Sequence, residues 1–514
     1  MAQLTRRRVS SSLALGPHPL LISDVISVAR QGRKVSLSPA AHRAMTASRR
    51  VVESALTDGE PHYGINTGFG SLSKRRIDND DLATLQANLI RSHHAGVGTP
   101  LPREIVRATM LLLAASLARG LSGVRPVIAQ TIVDLLNADI TPAVPEIGSV
   151  GASGDLAPLA AIANVLIGEG HILMNGRTQP AAPALKRARI KPLTLAAKEG
   201  LALINGTHLM AGRGSLIAHD IEHLLTASLL ATAMSMDCCR ATDAFLDERL
   251  YEARQHTGPA LVASELRRML QGSTILTSHV EDDPRVQDPY SLRAAPTVLG
   301  AAHWSLLGAI DEIEMELGAV TDNPLVFTGK NLPPIVSGAN FHGMPLAIPL
   351  DTLSIGLTHI AGIAERRIYL ITGAFEPESH LKPYLAPKPG LESGLMIAQY
   401  TAAACVNELI TLSAPASVAN IPTSAGMEDY NSFGPRAAAK AARAVELVRH
   451  VLAIEFLCAA EGLEYHRPLK SGKPVEQAHS IIRSRVKRLT ADRPLNRDIQ
   501  AISDLIAAGA FEGL

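Results

Sequence analysis

The sequence predicts a mainly α protein, and two observations carry that expectation. Apolar residues recur at helical spacing over Ile77 to Ile90 and Glu104 to Leu121, then over much longer stretches: Leu193 to Met236, Pro345 to Thr372, Ser393 to Ser413 and Gly434 to Ala460. Aromatic residues make up only 3 % of the chain, while the strong helix formers alanine and leucine are frequent. A length of 514 residues allows two to four domains. The change to long helices near residue 200 predicts an N-terminal domain over 1–200 and a bundle of long, roughly antiparallel helices over 201–514.

Taken in order, residues 1–50 read as a polar lead-in with short elements, with better order starting at Val51 to Leu56. Arg6-Arg7-Arg8 is followed by Ser-rich sequence and no apolar stretch, which argues against a signal peptide. His62 to Gly70 is a Gly-rich loop, but no Gly-Lys-Ser/Thr follows, so it is not a phosphate loop. Composition alone makes it a surface turn. Arg91 to Gly98 joins two helices and carries the adjacent His93 and His94, with no zinc partners at usable spacing. Residues 169–192 are Pro-rich and read as a connector. Asn205-Gly206-Thr207 interrupts a long apolar helical stretch at a cost in stability, a violation that often marks function. The acidic stretch Ser278 to Asp288 leads into Gln287-Asp288-Pro289-Tyr290-Ser291-Leu292-Arg293, a turn and a helix start. Thr321-Asp322-Asn323-Pro324-Leu325 is expected to cap a helix ending near Leu317. Lys470 to Arg497 reads as a charged, solvated helical tail.

Composition excludes several classes. With 49 Lys plus Arg against 48 Asp plus Glu, nothing favours nucleic acid or an anionic membrane. Cys238, Cys239, Cys405 and Cys458 show neither metal-ligand spacing nor a disulfide framework, so reduced thiols in a cytoplasmic protein are expected, with no metal. No uncharged apolar run reaches the length of a membrane span.

The stretch Gly148 to Leu159 carries the chemistry. Within it Ala152-Ser153-Gly154 can condense with itself: the Gly154 amide nitrogen attacks the Ala152 carbonyl and two waters leave, one of them from the Ser153 hydroxyl. The product is a 4-methylideneimidazol-5-one, an electrophile. The attack needs a sharp bend, which a residue without a Cβ permits. Asp155 then reads as the N-cap of a helix beginning beside the ring, whose partial positive end favours electron flow into an electrophile there. Taken alone, Ala-Ser-Gly is most often only a turn. Nor is this a hydrolase nucleophile elbow, because Asp155 stands where G-x-S-x-G requires glycine.

The full string Gly-Ser-Val-Gly-Ala-Ser-Gly-Asp-Leu-Ala-Pro-Leu resembles the signature of the histidine and phenylalanine ammonia-lyase family. The resemblance runs from about Tyr63 to about Gly462. It implies a fumarase/aspartase-like helical fold and a prosthetic group self-made from Ala152, Ser153 and Gly154, with no external cofactor. It also implies a homotetramer in which loops of three subunits build each site. Tyr63-Gly-Ile-Asn-Thr-Gly-Phe-Gly is similar to the loop of the catalytic tyrosine; a tyrosine needs positive potential nearby to act as a base at neutral pH. By the same resemblance Tyr290 joins it as a second catalytic residue, and Asn205, Gln287, Arg293 and Phe341 face the site. Arg293 would clamp an α-carboxylate with its guanidinium fork.

Substrate choice is implied by two positions. Ser92-His93 is the pair seen in histidine lyases, where His-Leu goes with tyrosine and Phe-Leu with phenylalanine. Glu428 matches the glutamate of histidine lyases and could accept from an imidazole N–H or an ammonium. The departures are His94, Leu113-Ala114-Ala115, His208, Ala294-Ala295, Gly318, Gly426-Met427 and Tyr430. The expected function is elimination of ammonia from L-histidine to give urocanate. Two alternatives stay open: the same ring acting on tyrosine, phenylalanine or another amino acid, as lyase or 2,3-aminomutase, and an inactive helical scaffold pairing with an active relative. In a blander reading, His93, His94 and His208 merely line a polar, solvated channel.

Overall fold

The computed structural model describes residues 12–68, 70, 75–281, 283–329 and 333–514; Arg6 to Arg8, Phe69 and Asp282 lie outside the described residues. Helix makes up 59 % and strand 7 %, so the protein is mainly α as predicted. Four helices dominate: His208–Cys238, Ala295–Glu316, Met344–Gly373 and Gly434–Leu463. The chain divides into two compact units, one of 1–216, 310–350 and 416–438, the other of 217–309, 351–415 and 439–514.

In the first unit, order begins well before Val51. Strands Ser12–Leu15 and Lys34–Leu37 pair in parallel around helix Ile22–Ala29. Helix Pro39–Ala55 then starts with proline in its first turn and the Ser38 hydroxyl accepting from the Ala41 amide. The sequence conceals this helix because two of its buried positions, Ser48 and Arg49, are polar; Arg49 donates to the carbonyls of Gly123 and Ala197. Residues 169–192 are likewise more than a connector. His171–Met174 and Arg177–Pro180 form a hairpin, Thr141–Pro142 adds a third strand, and helix Ala181–Ala188 follows. Its two-residue turn is Asn175-Gly176, both at positive φ, the residue pair such turns favour.

Two helices near the site start and stop differently from the apolar pattern. A short 3₁₀ turn, Asn79–Asp81, precedes helix Leu82–His93, and ahead of it the Ile77 amide donates to the Asn66 carbonyl. Helix Arg103–Ala118 is buried along most of its length. Thr321 to Leu325 does not act as a helix cap. Its polar groups instead hold the 198–207 segment: Asn205 Nδ2 donates to the Asn323 carbonyl at 3.1 Å, and the Thr207 amide to Thr321 Oγ1 at 3.2 Å. Ile65, Val52, Leu82, Ala197 and Val326 form a core cluster beneath the Gly-rich loop. Full burial of a side chain such as Ile65 contributes roughly 1.5–3 kcal/mol, which ties that loop to the unit.

In the second unit, Glu455 joins two helices: Arg367 Nε lies 2.5 Å from its Oε1, with both side chains fully buried, and Ser235 Oγ donates to Oε1 at 2.8 Å. Helix Met344–Gly373 has the length and hydropathy of a membrane span, yet 61 % of its apolar window is buried within the protein. It also carries Asp351, which pairs with Lys440. The tail is only half solvated. Helices Lys473–Arg485 and Asn496–Ala507 bury Val475, Ala478 and Ile482, and Ile502 and Ile506, on one face each. Cys238, Cys239 and Cys458 are buried free thiols, and Cys405 is half-buried.

Candidate active site

The Ala152-Ser153-Gly154 tripeptide is held by a segment fifty residues further along the chain. Gly154 and Gly206 bridge in parallel. The Gly206 amide donates to the Ser153 carbonyl at 3.3 Å, and the Asp155 amide donates to the Gly206 carbonyl at 2.8 Å. Gly154 has φ +75°, and a Cβ there would fall 2.1 Å from the Gly206 carbonyl oxygen. Only glycine satisfies both demands. Ala152 and Gly154 are buried, while Ser153 is partly exposed. The tripeptide therefore fits the self-condensation its sequence suggests: it is bent, backed by glycine, and turned so that the serine alone is accessible.

Asp155 does precede helix Leu156–Leu166, but its side chain makes no cap there. Instead Oδ2 accepts from the amides of Leu209 and Met210, at 2.9 and 3.1 Å, at the start of helix His208–Cys238. It caps a helix remote in sequence, so local spacing could not show it. Complete burial pushes the Asp155 carboxyl up to about 7, despite these amide donors. Burial also raises Glu316, whose carboxylate is held by the Thr207 hydroxyl at 2.5 Å.

Ser153 opens on a cavity of about 480 Å³ in the first unit, which gathers Tyr63, His93, Asn205 and Glu428 among its lining residues. Ser153 Oγ donates to Glu428 Oε1 at 3.2 Å, and Thr423 Oγ1 donates to Glu428 Oε2 at 2.7 Å. The paired main-chain bonds between Thr423 and Glu428 fix this turn. Tyr63 Oη accepts from the Gly70 amide at 3.4 Å. Its loop is set by the close fit of Gly64 to helix Glu199–Ile204, where a Cβ would lie 2.4 Å from Leu201 Cδ2. His93 ends helix Leu82–His93, with Nδ1 2.9 Å from the Leu89 carbonyl and 3.1 Å from Ser92 Oγ. Arg75 lines the same cavity, a cation the motif reading did not single out.

The blander channel reading is corrected in part. His94 is turned to Asn164, 2.9 Å away, and does not line this cavity; burial lowers its pKa. His208 is buried, with burial pushing it down to about 4 and neither ring nitrogen partnered among the described residues. Its ring lies against Gly206, where a Cβ would be 2.4 Å from Cε1.

Four expected site residues are not in this cavity. Phe341 is half-buried in a loop joined to the tripeptide's approach by the Gly343 amide, which donates to the Gly151 carbonyl at 3.3 Å. Gln287, Tyr290 and Arg293 belong to the second unit. There the Arg293 guanidinium stacks 4.5 Å over the Tyr290 ring and its Nε donates to the Asp288 carbonyl at 2.9 Å. Asp288 is itself anchored by the amide of Thr242, at 3.0 Å, and by its hydroxyl. Gln287 and Tyr290 are exposed.

A mainly helical protein that gathers an accessible serine, a tyrosine, a carboxylate and a histidine about one cavity has the groups for acid–base and nucleophilic or electrophilic chemistry in one place. The aromatic amino acid lyase family matches residues 20–484, and the chain belongs to that family. With it comes the fumarase/aspartase-like helical fold expected above. The chain is 46 % identical over 491 residues to a histidine ammonia-lyase of Stigmatella aurantiaca, covering 95 % of each. It is similar to the crystal structure of a histidine ammonia-lyase from Trypanosoma cruzi, with TM-score 0.90 and 36 % identity over 97 % of this chain and 94 % of that one. It is similar also to tyrosine aminomutase from Streptomyces globisporus, with TM-score 0.90 and 34 % identity over 97 % of each chain.

Proposed function

We propose that this chain is a histidine ammonia-lyase, a carbon–nitrogen lyase that eliminates ammonia from L-histidine to give urocanate. The observation that carries the reading is the gathering of Tyr63, His93, Asn205 and Glu428 around Ser153 in one cavity. The relatives at 46 % identity over nearly the whole length support the substrate. Ala152, Ser153 and Gly154 would form the 4-methylideneimidazol-5-one, which would supply the site with the electrophile that loss of a poor leaving group such as an amine needs. Once the Ser153 hydroxyl is lost as water, Glu428 Oε1 becomes a free acceptor for the imidazole N–H or the ammonium of the substrate. Tyr63 takes the β-proton, in a cavity that Arg75 also lines. His93, held by Leu89 and Ser92, forms the polar end of the pocket.

The remaining groups, Gln287, Tyr290, Arg293 and Phe341, complete the site in a homotetramer. Arg293 binds the α-carboxylate there, already oriented by Asp288 and Tyr290. The enzyme is cytoplasmic and needs no metal or external cofactor. A runner-up reading, the same ring acting on tyrosine or phenylalanine as lyase or aminomutase, draws on the likeness to tyrosine aminomutase. The deciding experiment measures kcat/KM on L-histidine, L-tyrosine and L-phenylalanine, scoring both αβ-unsaturated acids and β-amino acids. We expect histidine to be preferred. A site built around polar partners rejects analogues that leave them unpaired, so His93→Phe should cost histidine turnover most. A parent that ignores histidine but turns over another amino acid sinks the assignment.

A further inference from the structure

We infer that Lys198 is a positioning residue for Asn205, acting through the buried carboxylate of Asp322; the inference rests on the lyase reading of the cavity that Asn205 lines. Lys198 Nζ lies 2.6 Å from Asp322 Oδ2, and the two side chains are 0 % and 2 % exposed. The other Asp322 oxygen accepts from the Asn323 amide at 2.6 Å. The Asn323 carbonyl accepts from Asn205 Nδ2 at 3.1 Å. Lys198 and Asn205 stand immediately before and after the same six-residue helix, Glu199–Ile204. The contacts therefore close a circuit, from Lys198 along that helix to Asn205, across to Asn323, through Asp322 and back to Lys198.

The other supports of this segment hold its main chain, at the start of the helix and just beyond its end, where the Thr207 amide donates to Thr321 Oγ1 and Gly206 bridges to Gly154. Glu199 is fully buried and accepts from Arg125 Nη2 at 2.6 Å, while Gln86 Oε1 accepts from the Gly200 amide at 2.8 Å. These bonds place the backbone but say nothing of how the Asn205 carboxamide is turned. That is set by the Asn323 carbonyl, and the peptide carrying it is braced by Asp322 on one side and by the Gly338 amide, which donates to Asn323 Oδ1 at 2.7 Å, on the other. Lys198 also sits at φ +74°, a left-handed conformation that a non-glycine residue keeps only where its surroundings impose it. A buried ion pair is seldom the most stabilising way to fill a core, whereas it does fix orientation. The bond to Asn323 uses the carboxamide nitrogen and, among the described residues, leaves its oxygen uncommitted, as recognition of a ligand N–H requires.

The test uses Lys198→Met/Asp322→Asn, which removes both charges at similar volume and so avoids the unpaired buried carboxylate that Lys198→Met alone would leave. Misplacing a contact group by about 1 Å costs on the order of 10²-fold in rate, so kcat/KM for L-histidine should fall by about that factor. In an Asn205→Ala background the same pair of changes should cause no further loss in kcat/KM, while the melting temperature shifts equally in both backgrounds. A crystal structure of the double variant should show the Asn205–Asn323 contact lengthened past hydrogen-bonding distance. Multiplicative losses in the two backgrounds, full kcat/KM in the double variant, or an unchanged Asn205–Asn323 contact would each overturn the inference. A parent without lyase activity rejects the lyase reading alone, and the crystallographic distance then decides the positioning role.

Discussion

Replacing Gly154 with alanine tests the central geometry most directly. The new Cβ would lie 2.1 Å from the Gly206 carbonyl oxygen and 2.3 Å from its carbon, both main-chain atoms that cannot swing aside. The bridge must open, and with it the bonds from the Gly206 amide to Ser153 and from the Asp155 amide to Gly206. Two such bonds contribute about 2 kcal/mol together. Holding an L-residue at φ +75° costs roughly 1–2 kcal/mol more. The stiffer unfolded chain returns about 0.4–1 kcal/mol. The net loss is therefore roughly 2–3.5 kcal/mol. Gly176→Ala is the matched control, since Gly176 has φ +73° and nothing within 4 Å of a built Cβ. It should show the backbone cost alone, no more than about 1–2 kcal/mol. Denaturant unfolding measures both, and intact mass reports the tripeptide: the parent should be two waters light and Gly154→Ala should carry its full mass. If Gly154→Ala unfolds together with Gly176→Ala, or keeps the two-water deficit, the clamp by Gly206 does not govern this site.

Three further outcomes are expected. Tyr63→Phe should lower kcat by about 10²–10⁴-fold with little change in melting temperature, because among the described residues its hydroxyl holds only the long bond from Gly70; an equally active variant would move the proton-abstracting role elsewhere. Asp155 is raised from 3.8 to about 7, so the folded chain keeps a proton there that the unfolded chain has lost. Its contribution to stability is complete below pH 3.8 and is lost as pH rises to about 7, on the order of 4 kcal/mol. The melting temperature of Asp155→Asn relative to the parent should therefore rise between pH 5 and pH 8, and a constant difference would refute this. Glu455→Ala strands Arg367 without its buried partner and should cost about 3–5 kcal/mol in denaturant unfolding; a loss under 1 kcal/mol would show that the pair is not buried as described.

How much of this was legible beforehand depends on where each signal is stored. The long helices were readable because their apolar spacing repeats over many turns, as in Gly434–Leu463. The cavity residues Tyr63, His93, Ser153, Asn205 and Glu428 were readable because each stands in a short, dense motif. The misplaced elements are those whose signal is brief or masked. The Asn175-Gly176 hairpin has two four-residue strands, and helix Pro39–Ala55 turns Arg49 inward. The roles of Asp155 and Asp322 could not be read at all. Asp155, just before a helix, and Asp322, just after one, both look like caps of the neighbouring helix, and only tertiary structure shows one bonding to Leu209 and Met210 and the other to Lys198.

The bridge between Gly154 and Gly206 joins positions that no short peptide could bring together. In a chain still emerging from synthesis, Ala-Ser-Gly is an unremarked turn with an ordinary serine. Its bend is imposed from outside, by a helix break that is made later and must first dock. Reactivity that depends on the bend is thereby deferred until the surrounding walls exist.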